Sequence, residues 1–254
     1  MGEGPALVLL PPLPGYKEAW LACAGPMARR FRVITFDLRA RFDGHPRWEV
    51  LLRDLEQVLD AFAPGRAAVV GHSLGGALAQ RLALAHPERV SALVLSSSFA
   101  RVTTPKGHWR SRFLAQPLVL ASQRLLPAAP ALALARRLAA SESWVYDARC
   151  DQRVLDFVRF CIRDVPVAAA RDCVRLAFSH DTRAELPTLA CPTLLVVGER
   201  ESRFARDASA ELARLILGST LLVSPRVSHL HLFSGAEWFV EAVGGWLGSR
   251  MGRA

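Results

Sequence analysis

The sequence predicts a doubly wound, mostly parallel α/β sheet of about six strands, with a helical block inserted after the fourth strand. Three observations carry this. Short apolar runs recur at residues 6–10, 33–36, 67–70, 92–95, 193–197 and 220–223. They are almost continuously apolar rather than alternating, the mark of strands covered on both faces. Helical patterns separate them, except that residues 101–186 hold no strand run at all.

The first run, 6–10, leads into Pro11-Pro12-Leu13-Pro14-Gly15, which closes it. After the second run, Trp48, Leu51, Leu52, Leu55, Val58, Leu59 and Phe62 repeat at helical spacing, and Pro64-Gly65 ends that helix. The third run passes directly into Gly71-His72-Ser73-Leu74-Gly75, then into a helix-forming stretch that stops at His86-Pro87. Beyond the fourth run, residues 101–186 are rich in Leu, Ala and Arg and are punctuated by Pro105, Pro117, Pro127, Pro130 and Pro166. Helices also follow the fifth and sixth runs, at 204–217 and 237–247. We therefore expect a core of residues 1–100 and 187–254. The 101–186 block would form a lid over the carboxyl ends of the strands, where open α/β sheets bind ligands.

Composition narrows the function. With 254 residues, 51% of them hydrophobic, the chain can bury one large core. No apolar run reaches the roughly 18 residues of a membrane span. The opening Met1-Gly2-Glu3-Gly4-Pro5 lacks the basic start of a signal peptide, so a soluble cytoplasmic protein is expected. The five cysteines (Cys23, Cys150, Cys161, Cys173, Cys191) form no C-x-x-C pair, so neither a zinc site nor a disulfide framework is suggested. A net charge of +9 invites nucleic-acid binding. However, the arginines are dispersed, only Lys17 and Lys106 join them, and no basic block with interleaved aromatics exists.

Gly71-x-Ser73-x-Gly75 between a strand and a helix is the context of a nucleophile elbow. Glycines at both flanks avoid side-chain clashes on the tight turn, and the helix N-terminus directs amides at the place where an oxyanion would develop. A serine hydroxyl needs a base to take its proton, and that base needs an orienting carboxylate. Gly198-Glu199-Arg200-Glu201 follows the fifth run, and the segment Ser224-Pro225-Arg226-Val227-Ser228-His229-Leu230-His231 follows the sixth. This order, serine then acid then histidine, places each on a loop after a later strand.

With these motifs the chain resembles the α/β-hydrolase superfamily over nearly its full length. Pro192-Thr193-Leu194-Leu195-Val196-Val197-Gly198-Glu199-Arg200 is similar to the family's P-T-L-x-x-x-G-E-x-D stretch, with Glu201 at the aspartate position. The resemblance implies Glu201 as acid, with Glu199 as the competing carboxylate that more often braces the loop. It implies His229 as base, with His231 as the competitor two residues on along an extended loop. His72, beside the serine, would pack or hydrogen-bond locally at the substrate side, and Trp144 and the apolar positions Phe113, Leu114, Leu118, Val119 and Leu120 would line the lid. His45, His86, His108 and His180 have no motif, and exposed or capping roles are expected of them.

The chain also departs from the family pattern. The usual His-Gly after the first strand is Pro11-Pro12, and proline has no N–H. The oxyanion would therefore rest on the amides of Leu13 and Leu74. The D-x-R-G-x-G-x-S stretch has become Asp37-Leu38-Arg39-Ala40-Arg41-Phe42-Asp43-Gly44. The resemblance further implies that the family's first two strands are missing, and the Pro-Pro pair with Ser98-Phe99 is similar to the maspardin branch. The implied activity is a serine hydrolase acting on carboxylic esters through Ser73, His229 and Glu201. No metal or organic cofactor is implied, and the partner is a small-molecule ester. Thioester, lactone or C–C hydrolysis on the same triad remains open at this point, as does a non-catalytic maspardin-like binding role.

Overall fold

A computed structural model describes residues 1–39, 41–102 and 152–251. Six strands, β1 (Ala6–Leu10), β2 (Arg32–Thr35), β3 (Ala67–His72), β4 (Val90–Ser96), β5 (Thr193–Gly198) and β6 (Thr220–Ser224), form one sheet in the order β2-β1-β3-β4-β5-β6. Every pairing in it is parallel. The chain first builds outward from β1 to β2, then returns to the other side of β1 with β3. That reversal makes the carboxyl ends of β1 and β3 the topological switch point, where such sheets form a crevice.

Parallel strands require crossovers, and helices supply them on both faces. The helices are α1 (Leu21–Met27), α2 (Trp48–Phe62), α3 (Leu74–Ala85), α4 (Gln152–Asp164), α5 (Val167–Ser179), α6 (Arg203–Leu215), α7 (His231–Ser234) and α8 (Ala236–Met251). Alternate strand residues sort between two cores. Val8, Leu10, Val69, Leu93, Leu95 and Leu195 pack with α2, α3 and α6. Leu7, Leu9, Val70, Val94, Leu194 and Val196 pack with α1, α7 and α8. Each fully buried aliphatic side chain of this kind contributes about 1.5–3 kcal/mol, which explains why runs without alternation became central strands.

The structure departs from the sequence expectation at several points. Helix α1 was invisible to periodicity because it spans only seven residues and carries Gly25 and Pro26, yet it buries Cys23, Ala24 and Met27. Strand β6 reads as doubly covered but is an edge strand, with Leu221 and Val223 exposed. His231 is not on an extended loop; it opens the short helix α7. Within 101–186 the described residues form α4 and α5, and the neck of the block is closed by an antiparallel bridge between Arg101 and Asp181 and by the Thr182 N–H donating to the Ala100 carbonyl at 3.1 Å. Trp144, Cys150 and the apolar positions 113–120 lie outside the described residues. No described helix is long and apolar enough to cross a membrane.

Candidate active site

Ser73 follows β3 directly and has φ 53° and ψ −113°, a region that costs a non-glycine residue about 1–3 kcal/mol. Backbone contacts hold it there. Its N–H donates to the Ser96 carbonyl at 2.8 Å, and its own carbonyl accepts from the Gly76 and Ala77 amides and from Ser98 Oγ at 3.1 Å. A Cβ on Gly71 would overlap the Gly75 carbonyl, one on Gly75 the Leu10 carbonyl, and one on Gly76 the Ser98 side chain. The glycines thus let the first turn of α3 press against the ends of β1 and β4. Leu74 and Gly75, ahead of the first amides that bond back to Ser73, lie in the first turn of α3, where helix N–H groups have no intrahelical partner.

The loop after β1 abuts this turn through the Leu10 and Pro11 carbonyls, which face Gly75. From Pro11 to Pro14 only Leu13 retains an N–H. A turn closed by the Gly15 N–H on the Pro12 carbonyl, at 2.6 Å and with Gly15 at φ 97°, leaves Leu13 exposed at its tip.

At the ends of β5 and β6 the two glutamates separate. Glu199 is exposed, and its Oε2 accepts the Arg226 N–H at 2.6 Å, bracing the turn after β6. The Glu201 side chain is fully buried, and His229 Nδ1 donates to it at 3.2 Å from Oε1 and 3.3 Å from Oε2. Gly198 permits this, because a Cβ there would strike the Val227 and Ser228 carbonyls of the histidine loop. Burial opposes charge on Glu201, but His229, then His231 and last the Ser97 hydroxyl outweigh it and hold the carboxyl below its usual range. Burial likewise opposes charge on His229, and the Glu201 carboxylate outweighs it, leaving the imidazole above its ordinary value.

The competing histidines have other places. His231 is fully buried, its Nε2 lies 2.7 Å from Ser96 Oγ, and its ring stacks on Phe239 at 5.7 Å. Burial is the main cause that pushes it down to about 4. His72, expected at the substrate side, is also completely buried, and its Nδ1 lies 3.0 Å from the same Ser96 hydroxyl. As the last residue of β3 it lies beside α7, its ring 5.1 Å from that of His231. The ring of His229 rests 5.0 Å from that of His72, the residue just before Ser73. Among the described residues no hydrogen bond joins His229 to Ser73.

Residues 5–236 match the alpha/beta hydrolase fold family. The chain belongs to that family.

This alpha/beta hydrolase, an enzyme of the hydrolase class, is 31% identical over 249 residues to a pimeloyl-[acyl-carrier protein] methyl ester esterase of Nitrosomonas europaea, covering 94% of each chain. It is 28% identical over 253 residues to the protein of the same name from Aeromonas hydrophila, covering 97% of each. Among solved structures, a hydrolase from Pseudomonas aeruginosa superposes with a TM-score of 0.78 at 26% identity, covering 98% of this chain and 92% of the other. The hydrolase also holds His180 fully inside rather than at the surface. Its Nε2 lies 3.3 Å from Gln80 Oε1, and the Arg81 Nε–H donates to its Nδ1 at 3.3 Å. This tie fastens the end of α5 to α3.

Ser96 and Ser97 carry no signal of their own in the sequence. The visible clue was a run of three serines where an apolar strand ends, next in order after the nucleophile strand. No described group of three or more His, Cys, Asp or Glu side chains is arranged to hold a metal ion.

Proposed function

We propose that this alpha/beta hydrolase cleaves carboxylic esters through an acyl-enzyme intermediate. In this reading Ser73 attacks the carbonyl carbon while His229 takes the Ser73 proton and then delivers it to the departing alcohol. Glu201 holds the imidazole in the tautomer that leaves Nε2 free, and stabilises the imidazolium. The amides of Leu74 and Leu13 receive the oxyanion. Water then attacks the acyl carbonyl as His229 takes its proton; the bond to Ser73 Oγ breaks, His229 returns the proton to that oxygen, and the acid leaves.

The observation that carries this reading is the seating of His229 Nδ1 on a buried carboxylate, with its ring against the residue before a serine held in a strained elbow. Relatives named as methyl ester esterases support an ester as substrate. Residues 101–186 serve as a lid in this proposal. In support, α4 packs Phe157 against Phe233 just beyond the base at 5.0 Å, and α5 directs Cys173 Sγ to the Pro14 carbonyl in the loop after β1. These contacts support a lid that reaches the segment after the base and the loop after β1. The four described cysteines are free thiols, which supports a reducing, cytoplasmic setting. Labelling with a fluorophosphonate probe and mapping the modified peptide tests the proposal. Modification at Ser73, lost in Ser73→Ala, is expected; modification elsewhere, or none in protein that is folded, removes it.

A further inference from the structure

Strand β4 lies between the strand that ends in the nucleophile and the strand that leads to the acid. Its last residue, Ser96, pairs in register with His72 on one side and Val196 on the other. The serines at this strand end meet different parts of the site. Ser96 Oγ meets His72 and His231, Ser97 Oγ meets Glu201, and Ser98 Oγ meets the Ser73 carbonyl. We propose that Ser97 is a positioning residue of this enzyme, its hydroxyl orienting the Glu201 carboxylate toward His229. The inference rests on the triad reading above.

The geometry is specific. Ser97 Oγ donates to Glu201 Oε1 at 2.5 Å, and the Ser97 N–H is anchored on the Val196 carbonyl at 2.7 Å. Ser97 has φ 44°, a left-handed backbone that a serine adopts only when its surroundings demand it. Strain retained beside reacting groups is a reason to look for a role. Glutamate has one more rotatable bond than aspartate, so a buried Glu201 needs something to choose the rotamer that faces the imidazole. Two donors, Ser97 Oγ on Oε1 and His229 Nδ1 shared between Oε1 and Oε2, hold the carboxylate. They also supply the hydrogen bonds that a buried anion requires. Around this pair the titratable neighbours are His72 and His231, whose rings lie 5.1 Å from one another. Burial keeps both less basic than a free imidazole, and His231 nonetheless joins His229 and Ser97 in holding the Glu201 carboxyl down.

Ser97→Gly removes the hydroxyl and suits the left-handed backbone, so it tests the contact without adding strain. Turnover of a short-chain 4-nitrophenyl ester across pH, with melting temperature alongside, provides the readout. We expect kcat to fall about ten- to a hundredfold, the range for one hydrogen bond to a charged group, with KM little changed. We also expect the acidic limb of kcat/KM to move to higher pH, because a carboxylate stripped of that donor presents more charge to His229 and holds its proton more tightly. Ser96→Ala, one residue away and touching the buried histidines instead of the acid, should lower the melting temperature and leave the limb in place.

An unchanged kcat in Ser97→Gly overturns the proposal, as does a fall in kcat with the limb unmoved or an equal shift of the limb in Ser96→Ala. Should Ser97→Gly fail to fold, Ser97→Ala is measured in the same way. If neither folds, the hydroxyl is structural and the proposal is wrong. Glu201→Gln separates this from the triad reading: full activity there removes the triad itself, whereas an inactive Glu201→Gln beside a normal Ser97→Gly removes only the role of Ser97.

Discussion

The turn after β3 and the paired loops after β5 and β6 bring their groups to one place by opposite means. At the turn, backbone does the holding. Glycines at 71, 75 and 76 admit close approach, and Ser73 is fixed through its own N–H and carbonyl, leaving its hydroxyl without a structural duty. In the paired loops, side chains do the holding. A buried carboxylate, an imidazole and a neighbouring serine define one another across 28 and 104 residues of sequence separation. Chemistry that can be deleted without unfolding belongs to the first region, while sensitivity to pH belongs to the second.

The sharpest test of this contrast is Ser73→Ala. With Ser73 as the proposed nucleophile, turnover should drop by about 10⁶-fold, the loss typical of triad nucleophiles, while the melting temperature stays near that of the wild type. His229→Ala should be as severe in turnover. A melting temperature that collapses in Ser73→Ala would show that the hydroxyl, too, holds the turn together.

Next in size is the pair of glutamates. Glu201→Gln should reduce kcat by about 10⁴-fold, since an amide neither stabilises the imidazolium nor enforces its tautomer. Glu199→Gln should leave kcat within a few-fold and instead lower the melting temperature, because it weakens the bond to the Arg226 amide. Steady-state kinetics and melts of both variants decide it, and a crippled Glu199→Gln beside an active Glu201→Gln would reassign the acid.

A backbone test on the elbow side should have a smaller effect. Gly75→Ala forces a methyl group onto the Leu10 carbonyl. Overpacking of this sort costs about 1–3 kcal/mol, read as a fall in melting temperature of about 2–4 °C per kcal/mol in a chain of this size. Activity should fall with it, since Leu74, whose amide is proposed to receive the oxyanion, immediately precedes Gly75. An undisturbed melt would mean that β1 and α3 yield easily there.

The smallest effect concerns pH on the other side. The His229 pKa is raised above 6.5, so its contribution to stability is complete below 6.5 and is lost as pH rises through the folded value. The Glu201 pKa is lowered below 4.5, so its contribution is present above 4.5 and is lost as pH falls through the folded value. Together they stabilise the fold most between pH 4.5 and 6.5. Catalysis needs the free imidazole and should therefore rise above that window as His229 loses its proton. Denaturation midpoints against pH for the wild type and Glu201→Gln should show a maximum that the variant flattens. Identical curves would mean that the pair contributes nothing to stability.

What the sequence determined by itself is what depends on short-range rules. Continuous apolar runs become strands because burying both faces of a parallel sheet requires them, and Gly71, Gly75 and the residues between them specify a strand-turn-helix locally. The order of Ser73, the glutamates and the histidines follows from reading these elements in turn. Tertiary structure decided which glutamate meets which histidine. Residues two apart, such as Glu199 and Glu201 or His229 and His231, differ only in the direction their side chains take. That direction depends on partners far along the chain: Arg226 for Glu199, Ser97 for Glu201, and Ser96 with Phe239 for His231. His72 carried a motif but entered the core, because the sheet surface beneath it is covered by α7 and α8, segments more than 150 positions away. Local pattern sets where an element begins and which face is apolar, whereas burial and hydrogen-bond partners, set only when all elements pack together, choose among equivalent polar residues.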